Sequence, residues 1–333
     1  MRGCPDAFRG YPTRRLSDPA PKLPRAHRAW LLLLPLAFIE LVGSLVVRAR
    51  VPEADDWHEA AAHITGGWAE GDQLTVAPRW ADPLLRQAMG VAMGDAFTNA
   101  IAAPVGLEGT QRLWVVSIRG RASSLVPPDA VPEAVDTFGR VRVERYFLGE
   151  GEQILFDFVD RLPEATVTRG SSACASTTGR ASGGGLGAGP VIAANHFSCR
   201  GESVGETVIE DLHFEARRCI SQRAVTGEPI QVRFLDVPLG ERIVLYGGLH
   251  WVDERALEGA PVTLEAWAQT DATAEVSLGA VTHLDGDGWA TYEITVPDAL
   301  RGSRASVRFE VRSEGARSFC WAGRSLARTA EGL

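Results

Sequence analysis

Ile230-Gln231-Val232-Arg233-Phe234, Val262-Thr263-Leu264-Glu265-Ala266 and Val307-Arg308-Phe309-Glu310-Val311 share one pattern, an apolar residue at every second position. Successive side chains of a strand point to opposite faces, so each segment has one dry and one wet face. Turn signals at Pro238-Leu239-Gly240, Glu258-Gly259 and Asp285-Gly286-Asp287-Gly288 separate these segments. The spacing predicts an antiparallel β-sandwich over residues 191–328.

The same parity sorts the tryptophans. Trp267 runs with Thr263, Glu265 and Gln269, and Trp289 with Thr291, Glu293 and Thr295, which assigns both indoles to polar faces. An indole on a wet face is a stacking surface for the C–H face of a sugar ring, and Glu265, Gln269 and Glu293 are suited to its hydroxyls. The competing reading covers both indoles with a loop or with the rest of the chain. Asp285 and Asp287 read first as turn chemistry and second as calcium ligands, so no metal is assigned.

Residues 51–170 alternate between helix and strand. Asp56 followed by Glu59 has the spacing of a capping box, and Trp57, Ala60, Ala61 and Ile64 form the apolar stripe of a helix. Strands are expected at Gln73–Ala77, Arg112–Ile118, Val141–Phe147 and Ile154–Val159, with a second helix capped by Asp82. This order predicts a small α/β domain with a largely parallel sheet. Ligands of such sheets sit beyond the carboxyl ends of the strands. Those ends carry Arg79, Trp80, Asp82 and Arg119, a second candidate site for an anionic or sugar ligand; the alternative is an Arg79–Asp82 ion pair with Trp80 packed over the helix start. His58 and His63 are five apart, ~140° around a helix, and do not form the zinc pair that histidines four apart would make. Residues 171–190, rich in Gly and Ser, read as a linker or as a loop pinned by the cysteines.

Ahead of all this, a basic tail (residues 1–29) precedes the apolar run Trp30 to Val47. This predicts a signal-anchor helix with the N-terminus in the cytoplasm and the bulk of the chain exported; a cleavable signal peptide is the alternative. Glu40 inside the run is read as protonated or snorkelling. The net charge of -8 disfavours nucleic acid as a partner, because phosphate binding needs a clustered basic face. Of 5 cysteines, Cys4 falls in the tail and four fall in the exported part, where an oxidising compartment favours two disulfides. Three pairings are open; the expected one is Cys174 with Cys199 and Cys219 with Cys320. No phosphate loop, dinucleotide fingerprint or nucleophile elbow occurs, and no catalytic residue or cofactor is assigned.

Asp56-Trp57-His58-Glu59-Ala60-Ala61 and Gly71-Asp72-Gln73-Leu74-Thr75-Val76-Ala77-Pro78 resemble the soluble extracytoplasmic domain of bacterial glycosyltransferases of the dolichyl-phosphate-mannose mannosyltransferase type. That resemblance implies a bacterial inner-membrane protein in a sugar or lipid-carrier context, without the transferase's own catalytic residues. Phe234 to Arg242, Pro261 to Leu264, Asp287-Gly288-Trp289 and Leu300-Arg301-Gly302 are similar to galactose-binding-like jelly rolls of carbohydrate-binding modules. The combined expectation is a membrane-anchored, non-catalytic envelope protein that binds glycan or another envelope component. The alternatives are an enzyme or enzyme subunit of glycan or lipid-carrier processing, partnered with a membrane glycosyltransferase, and a purely structural protein.

Overall fold

The computed structural model describes residues 26–69, 71–93, 102–149, 152–182, 191–224 and 227–327. Most of the expected basic tail with Cys4, and the glycine run 183–189, lie outside the described residues. Helix α1 (Ala26–Arg48) contains the expected span and belongs to a unit of its own; a second compact unit begins at Pro52. Leu34, Leu36, Phe38 and Ile39 are exposed along α1. Among the described residues no helix is long and apolar enough to cross a membrane.

The second unit opens with α2 (Ala54–Gly67), which buries Trp57, Ala60, Ala61 and Ile64 as its stripe requires. It starts one turn earlier than expected: Glu53 is the cap, and its N–H donates to Asp56 Oδ2 at 3.0 Å. Strand β1 (Asp72–Ala77), α3 (Asp82–Met93), β2 (Arg112–Ile118), β3 (Ala134–Phe138) and β4 (Val141–Phe147) complete the first layer, in sheet order β1-β2-β4-β3. Only β1 and β2 are parallel. The expected largely parallel sheet is corrected here, because no helix returns the chain after β2, and β3 and β4 form a tight hairpin with Gly139 at φ 53°.

The rest builds two antiparallel sheets from β5 (Gln153–Asp157), β6 (Thr166–Arg169), β7 (Ser172–Ala173), β8 (Ala175–Ser182), β9 (Val191–Cys199), β10 (Glu202–Glu210), β11 (Ala216–Ala224), β12 (Ile230–Pro238), β13 (Arg242–Gly248), β14 (Val262–Gln269), β15 (Val276–His283), β16 (Ala290–Thr295), β17 (Arg304–Ser313) and β18 (Arg317–Ala327). The 8-stranded sheet runs β16-β13-β18-β11-β10-β9-β8 with β5 also on β18, and the 6-stranded sheet runs β15-β14-β17-β12-β6-β7. Strand β5, expected in the first sheet, pairs with β18, and β6 pairs with β12. The expected linker begins instead as strand, with β7 in one sheet and β8 in the other.

The dry faces meet as read. Val232, Phe234, Val262, Leu264, Ala266, Val307, Phe309 and Val311 are all buried in one inter-sheet core. Phe309 centres an aromatic cluster, 4.8 Å from Phe158 and 4.7 Å from Trp321. Both expected disulfides form. Cys174–Cys199 joins the crossing between β7 and β8 to the end of β9, and Cys219–Cys320 ties β11 to the last strand, with Cα atoms 4.7 and 5.6 Å apart. The first layer docks on this sandwich: Val208 enters its core, and Ala103 N–H donates to Ala216 O at 2.7 Å.

At one end of the sandwich, Glu254 on the short helix α4 (Trp251–Ala256) is fully buried. One oxygen accepts from Leu249 N–H (2.9 Å) and His283 Nε2 (2.8 Å); the other accepts from Gly286 N–H (2.8 Å). A carboxylate only accepts, so His283 Nε2 donates to it, and Nδ1 lies 2.9 Å from the Tyr292 hydroxyl. Burial opposes the charge on Glu254, but these donors outweigh it and hold its carboxyl below the usual range. Glu275 is also held low, chiefly by hydrogen bonds from Arg308.

Two measurements check this architecture. Cys219→Ser with Cys320→Ser removes a bond closing a separation of 101 residues and is expected to cost about 2–5 kcal/mol in urea unfolding; an unchanged midpoint would contradict the bond. Carboxylates depressed in the folded chain contribute stability above their ordinary value of 4.5 and lose it as pH falls through the folded values. Urea midpoints should therefore drop as pH falls below about 5, and Glu254→Gln should lower the neutral-pH midpoint while flattening that slope.

Candidate functional site

Trp267 lies on the outward face of the 6-stranded sheet, half-buried, between Arg308 of β17 and Ser277 of the edge strand β15. Two things place it there. The strict alternation of β14 buries Val262, Leu264, Ala266 and Ala268, and the register between β14 and β15 shifts between Ala266 and Trp267. Such bulges re-aim the side chain beside them. The Arg308 guanidinium lies 3.9 Å from the indole centroid. It is fixed in turn by Glu275, to which Nε and Nη2 donate at 3.0 and 2.6 Å.

Around this pair the wet face forms a continuous polar network. Glu310, buried, accepts from Arg308 and from Gln231 Nε2 (2.7 Å). Arg233 reaches Glu275 and Ser306, at 3.0 and 3.1 Å. Glu265 is 3.4 Å from Arg312. Gln269, at the end of β14, is exposed. Glu265, Trp267 and Gln269 thus line one face, as their parity requires, beside charges already oriented by one another.

Trp289 and Glu293 are not part of this face. Trp289 sits in the bend before β16 begins, packs against the inter-sheet core, and has Arg217 at 5.7 Å from its ring. Its Nε1 is buried without a hydrogen-bond partner among the described residues. Parity holds only within a continuous strand, so counting back from β16 through the bend misassigns this indole. Glu293 pairs with Arg242 on the 8-stranded sheet and lines a separate hollow of about 380 Å³ with Glu152 and Arg301. Asp285, read as turn chemistry, accepts from Gly259 N–H (2.8 Å) and pairs with Arg317.

The second candidate set divides. Trp80, 50% exposed, and Arg119 come together at the ends of β1 and β2, with the guanidinium 5.7 Å from the ring. Arg79 donates to Ser124 Oγ at 2.8 Å and lies 3.8 Å from Glu215, a residue of the sandwich. Asp82 turns inward, fully buried, and accepts from Arg86 Nε at 2.7 Å. The local Arg79–Asp82 pair does not form; Arg79 and Asp82 instead flank a buried charge cluster completed by Arg217, Asp211 and Glu215. Burial, first, pushes the Glu215 carboxyl up, against the pull of Arg217.

A further feature has no sequence signal. A cavity of about 410 Å³ opens between the first layer and the 8-stranded sheet, walled by Asp157, Asp160, Arg218 and Arg324 with Ala322 among its lining. Its charges pair off as Arg324–Asp157 (3.0 Å) and Arg218–Asp160 (2.5 Å). These four residues come from three strands and a turn, brought together only by the pairing of β5 with β18 and of β18 with β11.

No family model matches this chain, and no curated protein matches it. The resemblance of the first layer to glycosyltransferase domains therefore gains no support. Among solved structures, the chain is similar to the xylan-binding CBM22-2 domain of Paenibacillus barcinonensis Xyn10C, at 14% identity and a TM-score of 0.28 over 53% of this chain and 99% of that one. It is similar to the family 11 carbohydrate-binding module of Clostridium thermocellum, solved with a β-1,3-1,4-mixed-linked tetrasaccharide, at 13% identity and 0.27 over 53% and 96%. It is also similar to the K1 cleaved adhesin domain of Lys-gingipain from Porphyromonas gingivalis W83, at 13% identity and 0.28 over 51% and 92%. These likenesses are distant, and the sandwich rests on its own two sheets and shared core.

Proposed function

We propose that this chain is a non-catalytic glycan-binding protein of the cell envelope, with Trp267 as the stacking platform and Glu265 and Gln269 as partners for sugar hydroxyls. One observation carries this reading: an indole held on the outward face of a rigid sheet by a guanidinium 3.9 Å away, itself locked by Glu275. Arg308 occupies one side of the ring, and the residue facing the indole across the edge pair is the small Ser277. A platform ordered before ligand arrives does not lose that entropy on binding. The C–H face of a pyranose stacks on such a ring while carboxylate and amide groups beside it take the hydroxyls.

Attachment to a membrane through Trp30–Val47 is part of the proposal, supported by the apolar run and by the exposed apolar side chains of α1. Two disulfides favour an oxidising compartment for the rest of the chain.

Affinity electrophoresis in gels of neutral polysaccharides tests the platform. Trp267→Ala should abolish retardation and lower stability by no more than about 1 kcal/mol, the scale of the lost cation–π contact. Trp289→Ala should lower stability by about 3 kcal/mol and leave retardation intact below its unfolding temperature. A wild-type chain retarded by no glycan, or a Trp267→Ala variant retarded like wild type, would contradict the reading. Attachment is checked by alkaline carbonate extraction, which should leave the full chain in the membrane pellet and release a chain shortened to residues 51–333.

A further inference from the structure

Beyond Lys22, every Lys or Arg position in this chain is an arginine, and most described arginines face a carboxylate. Arg119 and Arg121 are among those that do not. Both are exposed, both belong to the turn after β2, and among the described residues neither has a carboxylate within ion-pair distance. They stand two residues apart in one turn of a chain whose net charge is -8.

Three further features coincide at this turn. Trp80, half of its surface exposed, lies under the Arg119 guanidinium. Arg119 has φ 57°, a left-handed backbone that a non-glycine residue adopts at a cost, and it is followed by Gly120 at φ 66°. The turn stands at the carboxyl end of the one parallel strand pair in its sheet, where β1 and β2 finish side by side at Ala77 and Ser117. Arg79, held by Ser124 and by Glu215, projects from the same end. Arg119 and the indole are presented together, with Arg121 in the same turn.

We propose that Trp80, Arg119 and Arg121 form a second binding site, for a saccharide that carries an oxyanion, either a carboxylate or a phosphate. The arginines take the oxyanion through charge-assisted hydrogen bonds, and the exposed indole edge packs on the ring that bears it. This site is independent of Trp267, which lies on the far sheet and takes neutral rings.

Calorimetric titration of the full chain in detergent with trigalacturonate, with glucose 1-phosphate and with neutral maltotriose tests the assignment. One or both anionic probes should bind, with an affinity that falls as salt rises, and the arm that binds identifies the oxyanion. Arg119→Asn, which tolerates the left-handed backbone, combined with Arg121→Gln should weaken that binding at least about tenfold. Trp80→Ala should weaken it too, whereas Arg169→Gln and Trp267→Ala should leave it unchanged. Absence of binding by both anionic probes, an affinity indifferent to salt, or a double variant that binds like wild type would overturn the proposal. Loss of neutral-glycan binding in Trp267→Ala leaves this result untouched, so the two sites fail separately.

Discussion

The contact of Phe309 with Trp321, 4.7 Å between ring centroids, closes one sheet on the other and sets the direction of the side chains on the outer face of the 6-stranded sheet. Phe309 is central in β17, between β12 and β14, and Trp321 is central in β18, between β11 and β13. With these rings inside, the period of two leaves Arg308 and Glu310 outside, and the register of β14 then brings Trp267 opposite Arg308. A slip of one residue would reverse all of these at once, so the core specifies the outer face as strictly as it specifies itself. The candidate glycan platform is a consequence of packing on the opposite side of the sheet.

That outer face is polar without being solvated throughout. Arg308 and Glu310 are 7% and 2% exposed, because Gln231, Arg312 and Glu275 crowd around them. Buried ion pairs of this kind add little net stability and are strongly destabilising when one partner is removed. Their effect is positional. The junction between the first layer and the sandwich works the same way: Arg217 joins Asp211 and Glu215 and donates to Pro104 O at 2.8 Å, so the strand that enters the junction also holds the chain that leads into β2. Glu215 then reaches Arg79 at the edge of the second candidate site. The position of an exposed arginine is thereby tied to charges buried in another layer.

Local chemistry was legible in the sequence and long-range partnership was not. The stripe of α2, strands β1, β2 and β4 of the first layer and the alternation of β12, β14 and β17 follow from spacing alone, whereas β3 has no such signal. Trp267 was placed because its parity lies wholly within one strand. Trp289 was misread because the bend before β16 resets the count. Strand β5 has the same apolar character as the strands before it, and nothing local distinguishes pairing with β2 or β4 from pairing with β18, more than 160 residues later. Asp82, expected as a helix cap and as part of the second candidate site, is fully buried and pairs with Arg86 one turn on. The cysteines lay between these cases: their number predicted two bonds, and only the folded strands select the partners.

The central claim is that a neutral sugar ring stacks on Trp267. Nitrogen-15 spectra of the indole N–H groups, assigned by single tryptophan replacement and followed while a neutral oligosaccharide that retards the protein is added, test it most directly. The account predicts a saturable shift of the Trp267 resonance with Trp289 and Trp321 unmoved, because both are committed to the core. A saturable shift confined to Trp80, or to any indole other than Trp267, would contradict it.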